Sequence, residues 1–96
     1  MPTWAILSVF ARDLKSLTPE QQKLFRAAVT HFVEDLKAGQ FRKGLRVKKM
    51  HGHDRIWEMT WADNGRATFQ YGVPEREGES HIVWRRIGTH DIFRQP

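Results

Sequence analysis

The stretch from Trp57 to Tyr71 constrains this chain most, because its residues alternate between apolar and polar along two arms joined by a turn. Alternation with a period of two is typical of a pair of strands with one buried face. The apolar face collects Trp57, Met59, Trp61, Ala67, Phe69 and Tyr71, and the polar face collects Glu58, Thr60, Arg66, Thr68 and Gln70. The sequence therefore predicts a β-hairpin with an apolar face for the core and a polar face for chemistry.

The turn Asp63-Asn64-Gly65 predicts how the two arms pair. A three-residue loop with its glycine in the left-handed conformation is a common hairpin connection. In that register Glu58 lies opposite Gln70. It is then about four residues, or roughly 13 Å, along the sheet from Arg66.

Two helices are predicted before the hairpin. The segment Thr18-Pro19-Glu20-Gln21 has the N-cap threonine, first-position proline and N3 glutamine of a capping box. It predicts a long helix over Pro19–Ala38 that ends at Gly39. A shorter helix is predicted over Arg12–Leu17. Apolar residues at helical spacing give the long helix a face that we expect to lie across the apolar face of the sheet.

Two more strands are predicted, over Thr3–Phe10 and His81–Ile87. Alternation in the second of them places Trp84 in the core and Arg85 on the polar face, so Arg85 ranks above Arg86 as a ligand contact. The element order β-α-α-β-β-β predicts one α+β domain over residues 1–96. We expect a small twisted antiparallel sheet with the two N-terminal helices packed on one face.

Charge is spread unevenly along the chain. The net charge is +5, and the basic residues between positions 41 and 55 are Arg42, Lys43, Arg46, Lys48, Lys49 and Arg55, against Asp54 alone. A basic block in a chain of otherwise mixed charge is typical of a protein that binds a polyanion. A solvated basic surface that favours solubility explains the same composition equally well.

Several classes of protein are disfavoured. The chain has no cysteine, so disulfides and thiolate metal sites are excluded. His51 and His53 beside Asp54 lack a convincing third ligand, and no metal or other cofactor is expected. No apolar run approaches the roughly 20 residues of a membrane span, and no signal peptide is recognised, so we expect a cytoplasmic protein.

Four short motifs follow one another in an order that resembles a known family. They are Leu-Arg-Val-Lys-Lys-Met at 45–50, Ile-Trp-Glu-Met-Thr-Trp at 56–61, Gly-Arg-Ala-Thr-Phe at 65–69 and Trp-Arg-Arg-Ile-Gly-Thr-His-Asp-Ile-Phe at 84–93. With the strand and helical pair before them, they resemble the RelE/ParE superfamily of bacterial type II toxins over essentially the whole chain. The resemblance implies a small twisted antiparallel sheet with two helices on one face, and an antitoxin partner that wraps the toxin. RelE-type members cut mRNA in the ribosome, whereas ParE-type members poison DNA gyrase without nuclease chemistry.

The resemblance also implies roles for particular residues. Arg66 matches a basic residue that nuclease members place against the scissile phosphate, and Lys48 and Lys49 match the family's basic stretch before the sheet. His90 lies where nuclease members place a basic or aromatic catalytic residue. Where some members end with a catalytic tyrosine, the nearest aromatic residue here is Phe93, which has no hydroxyl.

RNA cleavage through the 2′-hydroxyl requires a base, an acid and cations that stabilise the charged phosphorane. Glu58 is the only carboxylate on the polar face and is the candidate base, although some family members carry lysine on this strand. A cross-strand ion pair with Arg85 is the structural alternative. Arg66 is either a phosphate clamp or a solvated residue beside a turn, and His90 is either a proton-transfer group or a packing residue. The predicted catalytic residues are Arg66, Glu58, His90 and Arg85, and the predicted RNA-binding residues are Lys48, Lys49, Arg46, Arg55 and Arg86.

The sequence therefore favours the toxin of a type II toxin–antitoxin pair. Its predicted activity is metal-independent, ribosome-dependent cleavage of mRNA, and its predicted partners are a cognate antitoxin, the ribosome and mRNA. A gyrase-poisoning toxin of the same fold and a nucleic-acid-binding module without catalysis are the two alternatives.

Overall fold

The structure is a computed structural model that describes residues 2–96 and is built on a five-stranded sheet. Its strands are β1 Thr3–Ile6, β2 Lys48–Lys49, β3 Trp57–Ala62, β4 Gly65–Tyr71 and β5 His81–Gly88, its helices are α1 Ser8–Lys15 and α2 Pro19–Ala38, and two short 3₁₀ helices cover Lys43–Leu45 and His90–Arg94. The strand order is β1-β5-β4-β3-β2. Within residues 2–96, no helix is long and apolar enough to span a membrane.

The predicted α+β class is confirmed, but the sheet is mixed rather than wholly antiparallel. β1 runs parallel to β5, and every other neighbouring pair is antiparallel. A turn determines the direction of two strands that it joins, whereas β1 and β5 are at opposite ends of the sequence. The basic segment, which the predicted element order left uncounted, contributes the fifth strand, β2.

The first strand is shorter than predicted, and the first helix begins earlier. β1 ends at Ile6 and α1 begins at Ser8, with Leu7 as its N-cap. Phe10, which was predicted to lie in the strand, is a buried residue of α1 and lies one helical turn before Leu14. This spacing lets both side chains pack toward the sheet.

The long helix α2 has the predicted bounds. Thr18 Oγ1 accepts a hydrogen bond from the backbone N–H of Gln21 at 3.1 Å, and Gln21 Oε1 accepts one from the backbone N–H of Thr18 at 2.8 Å. Gly39 ends the helix with a φ of +83°. The start and the end were predictable because both depend on residues that are close in sequence.

An aromatic layer joins the helices to one face of the sheet. The ring centroid of Trp84 on β5 lies within 5.9 Å of the ring centroids of Phe10, Phe25, Phe32 and Phe69. Aromatic pairs of this kind add about 0.5–1.5 kcal/mol each beyond the burial of their area. Because both helices pack on this face, the opposite face of the sheet carries the polar residues of the hairpin.

The hairpin β3–β4 keeps its predicted faces but not its predicted pairing. Glu58 lies opposite Thr68, and Thr60 lies opposite Arg66, with an irregularity between Thr60 and Ala62. The pairing therefore differs by two residues from the predicted register. A shift by an even number leaves each side chain on its predicted face.

The turn itself also differs from the prediction. Asp63 and Asn64 form it, and Gly65 is already the first residue of β4. Among the described residues, the positive φ angles belong to Arg46 and to glycines 39, 52 and 78, so Gly65 is not left-handed.

β5 contains a bulge that the predicted alternation missed. Thr68 pairs with Arg86, and Phe69 pairs with Trp84, so Arg85 is an extra residue on β5. The bulge allows Ile87 to be buried, although it is three positions after Trp84. That odd apolar spacing was visible in the sequence as a sign of a bulge.

Candidate functional site

A pocket of about 160 Å³ opens on the polar face of the sheet, beside the hairpin. Its lining residues are Arg46, Lys48, Glu58, Thr60, Arg66, His90 and Phe93. Three of the four predicted catalytic residues and two of the five predicted RNA-binding residues therefore meet here. They come from the basic segment, the hairpin and the C-terminal 3₁₀ helix, which are distant in sequence.

A second cavity, of about 340 Å³, extends the pocket toward the hairpin turn. It shares Arg46, Thr60 and Arg66 with the first cavity and continues along Ala62 and Asp63. Together they form a groove with arginine on two sides. Cationic walls of this kind attract a polyanionic ligand.

The guanidinium of Arg66 is held by the turn of its own hairpin. Nη1 donates to the carbonyl oxygens of Ala62 at 3.1 Å, Asp63 at 3.2 Å and Gly65 at 2.9 Å. Within residues 2–96, Nε and Nη2 have no hydrogen-bond partner. Because Nη1 alone binds the turn, the Nε–Nη2 edge is left for a bidentate contact with an anion.

Glu58 is closer to Arg66 than its predicted position. Because Thr60 lies opposite Arg66 and Glu58 opposite Thr68, Glu58 and Arg66 are diagonal neighbours, a spacing of about 7–8 Å between their positions. The predicted separation was roughly 13 Å. The two side chains can therefore act on neighbouring atoms of one ligand.

The ion pair of Glu58 is with Lys48, not with Arg85. Lys48 lies opposite Glu58 across β2 and β3, and its Nζ is 3.9 Å from Glu58 Oε1. Arg85 is two strands away on β5, which explains why the predicted pair does not form. The side chain of Glu58 is only 14% exposed, whereas that of Lys48 is 66% exposed. The carboxylate therefore lies in the wall of the pocket, and the lysine is at its rim.

His90 and Phe93 form an aromatic pair at the C-terminal side of the pocket. Their ring centroids are 4.7 Å apart with an interplanar angle of 67°. Thr89 caps the 3₁₀ helix, and its Oγ1 accepts from the backbone N–H of Asp91 at 3.3 Å. Phe93 has no group for proton transfer, but an aromatic face is a surface on which a nucleic-acid base can stack. This use of Phe93 was not predicted from the sequence, although residues three apart in a 3₁₀ helix lie on one side.

An ion pair between the buried Asp35 and the exposed Arg42 anchors the basic segment to α2. Asp35 accepts from Arg42 Nε at 2.9 Å, from Arg42 Nη2 at 2.9 Å and from the backbone N–H of Arg42 at 2.8 Å. The side-chain hydrogen bonds hold the pKa of Asp35 below its ordinary value and raise the pKa of Arg42. Sequence reasoning missed this pair. The signal was the spacing of Ala28, Phe32 and Asp35, which puts a carboxylate on the apolar face of the helix.

Comparison with known proteins identifies the fold. No protein-family model matches the chain, and no curated protein matches it in sequence. Solved structures do match. A chain of the RelB-RelE antitoxin-toxin complex from Methanococcus jannaschii is 17% identical with a TM-score of 0.62, and the match covers 93% of each chain. A metal-bound toxin from Helicobacter pylori is 18% identical with a TM-score of 0.64, over 95% of this chain and 97% of that one. A chain of the Escherichia coli DinJ-YafQ toxin-antitoxin complex is 10% identical with a TM-score of 0.63, over 94% and 93%.

The chain has the fold of RelE-type toxins. This confirms the fold that the resemblance of its motifs implied, apart from the parallel pairing of β1 with β5. Within residues 2–96 of this RelE-type fold, no group of three or more His, Cys, Asp or Glu residues is arranged to hold a metal ion.

Four of the predicted site residues lie outside the pocket of this RelE-type fold. Lys49 follows Lys48 in β2 and therefore points to the other side of the sheet. Arg55 is exposed before β3. Arg86 donates to Asp13 at 2.6 and 3.3 Å. Arg85 donates from Nη1 to Gln70 Oε1 at 2.6 Å and, from Nε, to Pro96 O at 3.0 Å. Arg86 thus forms an ion pair within the protein, with Asp13. The roles predicted for these four residues stay predictions.

Proposed function

We propose that this protein is the toxin of a type II toxin–antitoxin pair and acts in the cytoplasm as a metal-independent endoribonuclease on ribosome-bound mRNA. One observation carries the proposal: Arg66, Glu58 and His90 line one pocket, with Arg46 and Lys48 beside them, on a RelE-type fold. A base, an acid and cations are the groups that metal-free RNA cleavage requires.

The residues divide the chemistry as follows. Glu58 takes the proton of the 2′-hydroxyl, and the 2′-oxygen attacks the adjacent phosphorus. The bond from phosphorus to the 5′-oxygen breaks, and His90 donates a proton to that leaving oxygen. The free Nε–Nη2 edge of Arg66 donates to the non-bridging oxygens as their charge develops. The products are a 2′,3′-cyclic phosphate and a 5′-hydroxyl.

The groove around the pocket supplies binding. Arg46 and Lys48 are exposed and attract the phosphates that flank the scissile bond. Phe93 offers a face for a neighbouring base, and base–aromatic stacking contributes about 1–3 kcal/mol.

The ribosome supplies the geometry that this small pocket lacks. In-line attack requires the 2′-oxygen, the phosphorus and the leaving oxygen to be aligned, and such orientation contributes several kcal/mol of the barrier. The pocket is small and open to solvent and does not enclose the RNA backbone, so alignment falls to the ribosome. Free RNA is therefore a poor substrate and ribosome-bound mRNA a good one.

A cognate antitoxin is the proposed partner. The M. jannaschii and E. coli structures are antitoxin–toxin complexes, which supports such a partner here. An acidic or amphipathic segment fits the basic groove, and it would cover Lys48 and Lys49 and block the pocket.

The test is inducible expression, followed by mapping of mRNA 5′ ends. The expected result is growth arrest with new 5′-hydroxyl ends inside translated regions, reversed by co-expression of the antitoxin. A Glu58→Gln variant is expected to cause neither growth arrest nor new mRNA 5′ ends. Arrest without new ends would move the assignment to a gyrase poison, and free expression without harm would oppose any toxin.

A further inference from the structure

The C-terminal residues lie on the sheet beside the cleavage pocket. The main-chain oxygen of Pro96 accepts hydrogen bonds from Thr68 Oγ1 at 3.2 Å and from Arg85 Nε at 3.0 Å. The carbonyl oxygen of Gln95 accepts from Arg86 Nη1 at 3.1 Å. Donors from two neighbouring strands therefore converge on one oxygen atom of Pro96.

Thr68 and Arg85 are also held in place by contacts other than those with Gln95 and Pro96, the two residues called the tail below. Thr68 is fully buried at 0% exposure, and Arg85 is oriented by its 2.6 Å hydrogen bond to Gln70. Arg85 is also the extra residue of the bulge in β5, which re-aims its side chain. A hydroxyl and a guanidinium are the groups with which proteins usually bind phosphate oxygens. Thr68 and Arg85 thus form a pair of fixed donors suited to a phosphate, and an oxygen of Pro96 occupies the position that a phosphate oxygen would take.

The position of this pair fits the RNA path of the proposed function. Thr68 lies opposite Glu58 and two residues along β4 from Arg66, a distance of about 6.6 Å at the usual strand rise. This is close to the step between neighbouring phosphates of one nucleic-acid strand. A strand whose scissile phosphate lies at Arg66 therefore brings the next phosphate to Thr68 and Arg85.

We infer that Thr68 and Arg85 form a second RNA phosphate subsite, which residues Gln95 and Pro96 occupy as a strap when RNA is absent. The inference rests on the proposed function. The strap is displaced because each phosphate of an RNA strand offers several acceptor oxygens, which can satisfy Thr68 and Arg85 together, whereas one oxygen of Pro96 serves both donors. Tail and RNA compete for the same hydrogen bonds, so the strap lowers the affinity for RNA until a strand has entered the groove.

The experiment follows the tail in the full chain. The sequence has no cysteine, so the cysteine of a Gln95→Cys variant is the single attachment point for a nitroxide spin label. Residue 95 is exposed and therefore accessible to the label. The ligand is a short 2′-O-methyl RNA, which cannot be cleaved because its attacking oxygen is blocked. The label is expected to be immobilised in the free protein and to become mobile as the oligonucleotide saturates.

Variants test the subsite by the salt dependence of binding. Arg85→Gln is expected to free the label without RNA and to reduce the log–log slope of affinity against salt by about 0.7, the value for one lost contact with a single strand. Arg26→Gln, an exposed residue of α2, is the matched control and should change neither reading. Thr68→Val replaces the hydroxyl with a methyl group of similar size and is expected to raise label mobility. It is the second test of the subsite if Arg85→Gln does not fold.

The outcomes separate this inference from the proposed function. If the label stays immobilised when the oligonucleotide is saturating, the strap is overturned. If Arg85→Gln leaves the salt dependence of RNA affinity unchanged and Thr68→Val leaves the RNA affinity unchanged, the subsite is overturned. Absence of any oligonucleotide binding also overturns the subsite, whereas the proposed function is overturned only by its own test of growth arrest and new mRNA 5′ ends.

Discussion

A Cβ atom on Gly65 would lie 2.6 Å from the Cδ2 and Cε2 atoms of the Trp61 indole. The indole cannot easily move away, because its Nε1 donates to the carbonyl oxygen of Arg66 at 3.0 Å and its ring packs edge-on against Phe25. Gly65 is therefore required by close packing and not by its φ angle. This contact joins the hairpin turn to the core.

Gly65→Ala is expected to lower the free energy of unfolding by about 1–3 kcal/mol, the usual cost of forcing an extra methyl group into a packed site. Urea unfolding followed by tryptophan fluorescence measures it. Gly44→Ala is the matched control, since a Cβ there meets no atom within 4 Å and the residue has no positive φ. Equal losses in the two variants would contradict the packing argument.

Glu58→Gln tests the candidate base. The substitution keeps the shape of the side chain and removes its ability to take a proton, so cleavage of ribosome-bound mRNA is expected to fall about 10²–10⁴-fold. Its stability should change by less than about 1 kcal/mol, because the Lys48 partner is at the surface. Lys48→Met breaks the same ion pair and keeps the carboxylate. If the two variants lose cleavage rate equally at saturating substrate, where the phosphate contact of Lys48 no longer limits binding, Glu58 acts through the ion pair and not as the base.

Arg66→Ala is expected to affect both activity and stability. Loss of the donor to the phosphorane should cost about 10²–10³ in cleavage rate. Loss of the three hydrogen bonds to the turn should cost about 1–2 kcal/mol of stability. Cleavage assays and urea unfolding on one preparation separate the two effects. Arg26→Ala removes the same charge from the outer side of α2, and full activity is expected there. A folded Arg66→Ala protein with full activity would remove Arg66 from the site.

Asp35→Asn tests the anchor of the basic segment through pH. Because the pKa of Asp35 is lowered in the folded protein from an ordinary value of 3.8, its contribution to stability is present above that value. The contribution is lost as the pH falls through the folded pKa. Parent stability should therefore decline more steeply below about pH 4 than that of Asp35→Asn, which is already less stable at pH 7. Thermal melts between pH 2 and pH 7, at roughly one-unit steps, measure the difference.

Asp54→Asn is the control for that experiment, because Asp54 is an exposed turn residue. Its curve should run parallel to that of the parent. Parallel curves for Asp35→Asn would mean that the carboxylate contributes nothing to the anchor.

The sequence by itself determined the features that depend on neighbours along the chain. Helix α2 spans Pro19–Ala38 between the caps Thr18 and Gly39, because a capping box and a left-handed glycine depend only on residues close in sequence. The two faces of the hairpin follow from the alternation of side chains about one strand axis. The identity of Arg66, Glu58 and His90 as candidates came from residue type and from the family resemblance.

Only the tertiary structure decided how distant segments meet. The two-residue shift in the hairpin, the bulge at Arg85 and the parallel pairing of β1 each depend on packing against residues far away in sequence. The same is true of the ion pairs that Glu58 and Arg86 make, since their partners belong to other elements. A local pattern specifies which face a side chain takes, but the position along that face is set by the energy of the whole core. For that reason several pocket residues could be predicted from the sequence. Their convergence in one pocket and the contact of Pro96 with Thr68 could not.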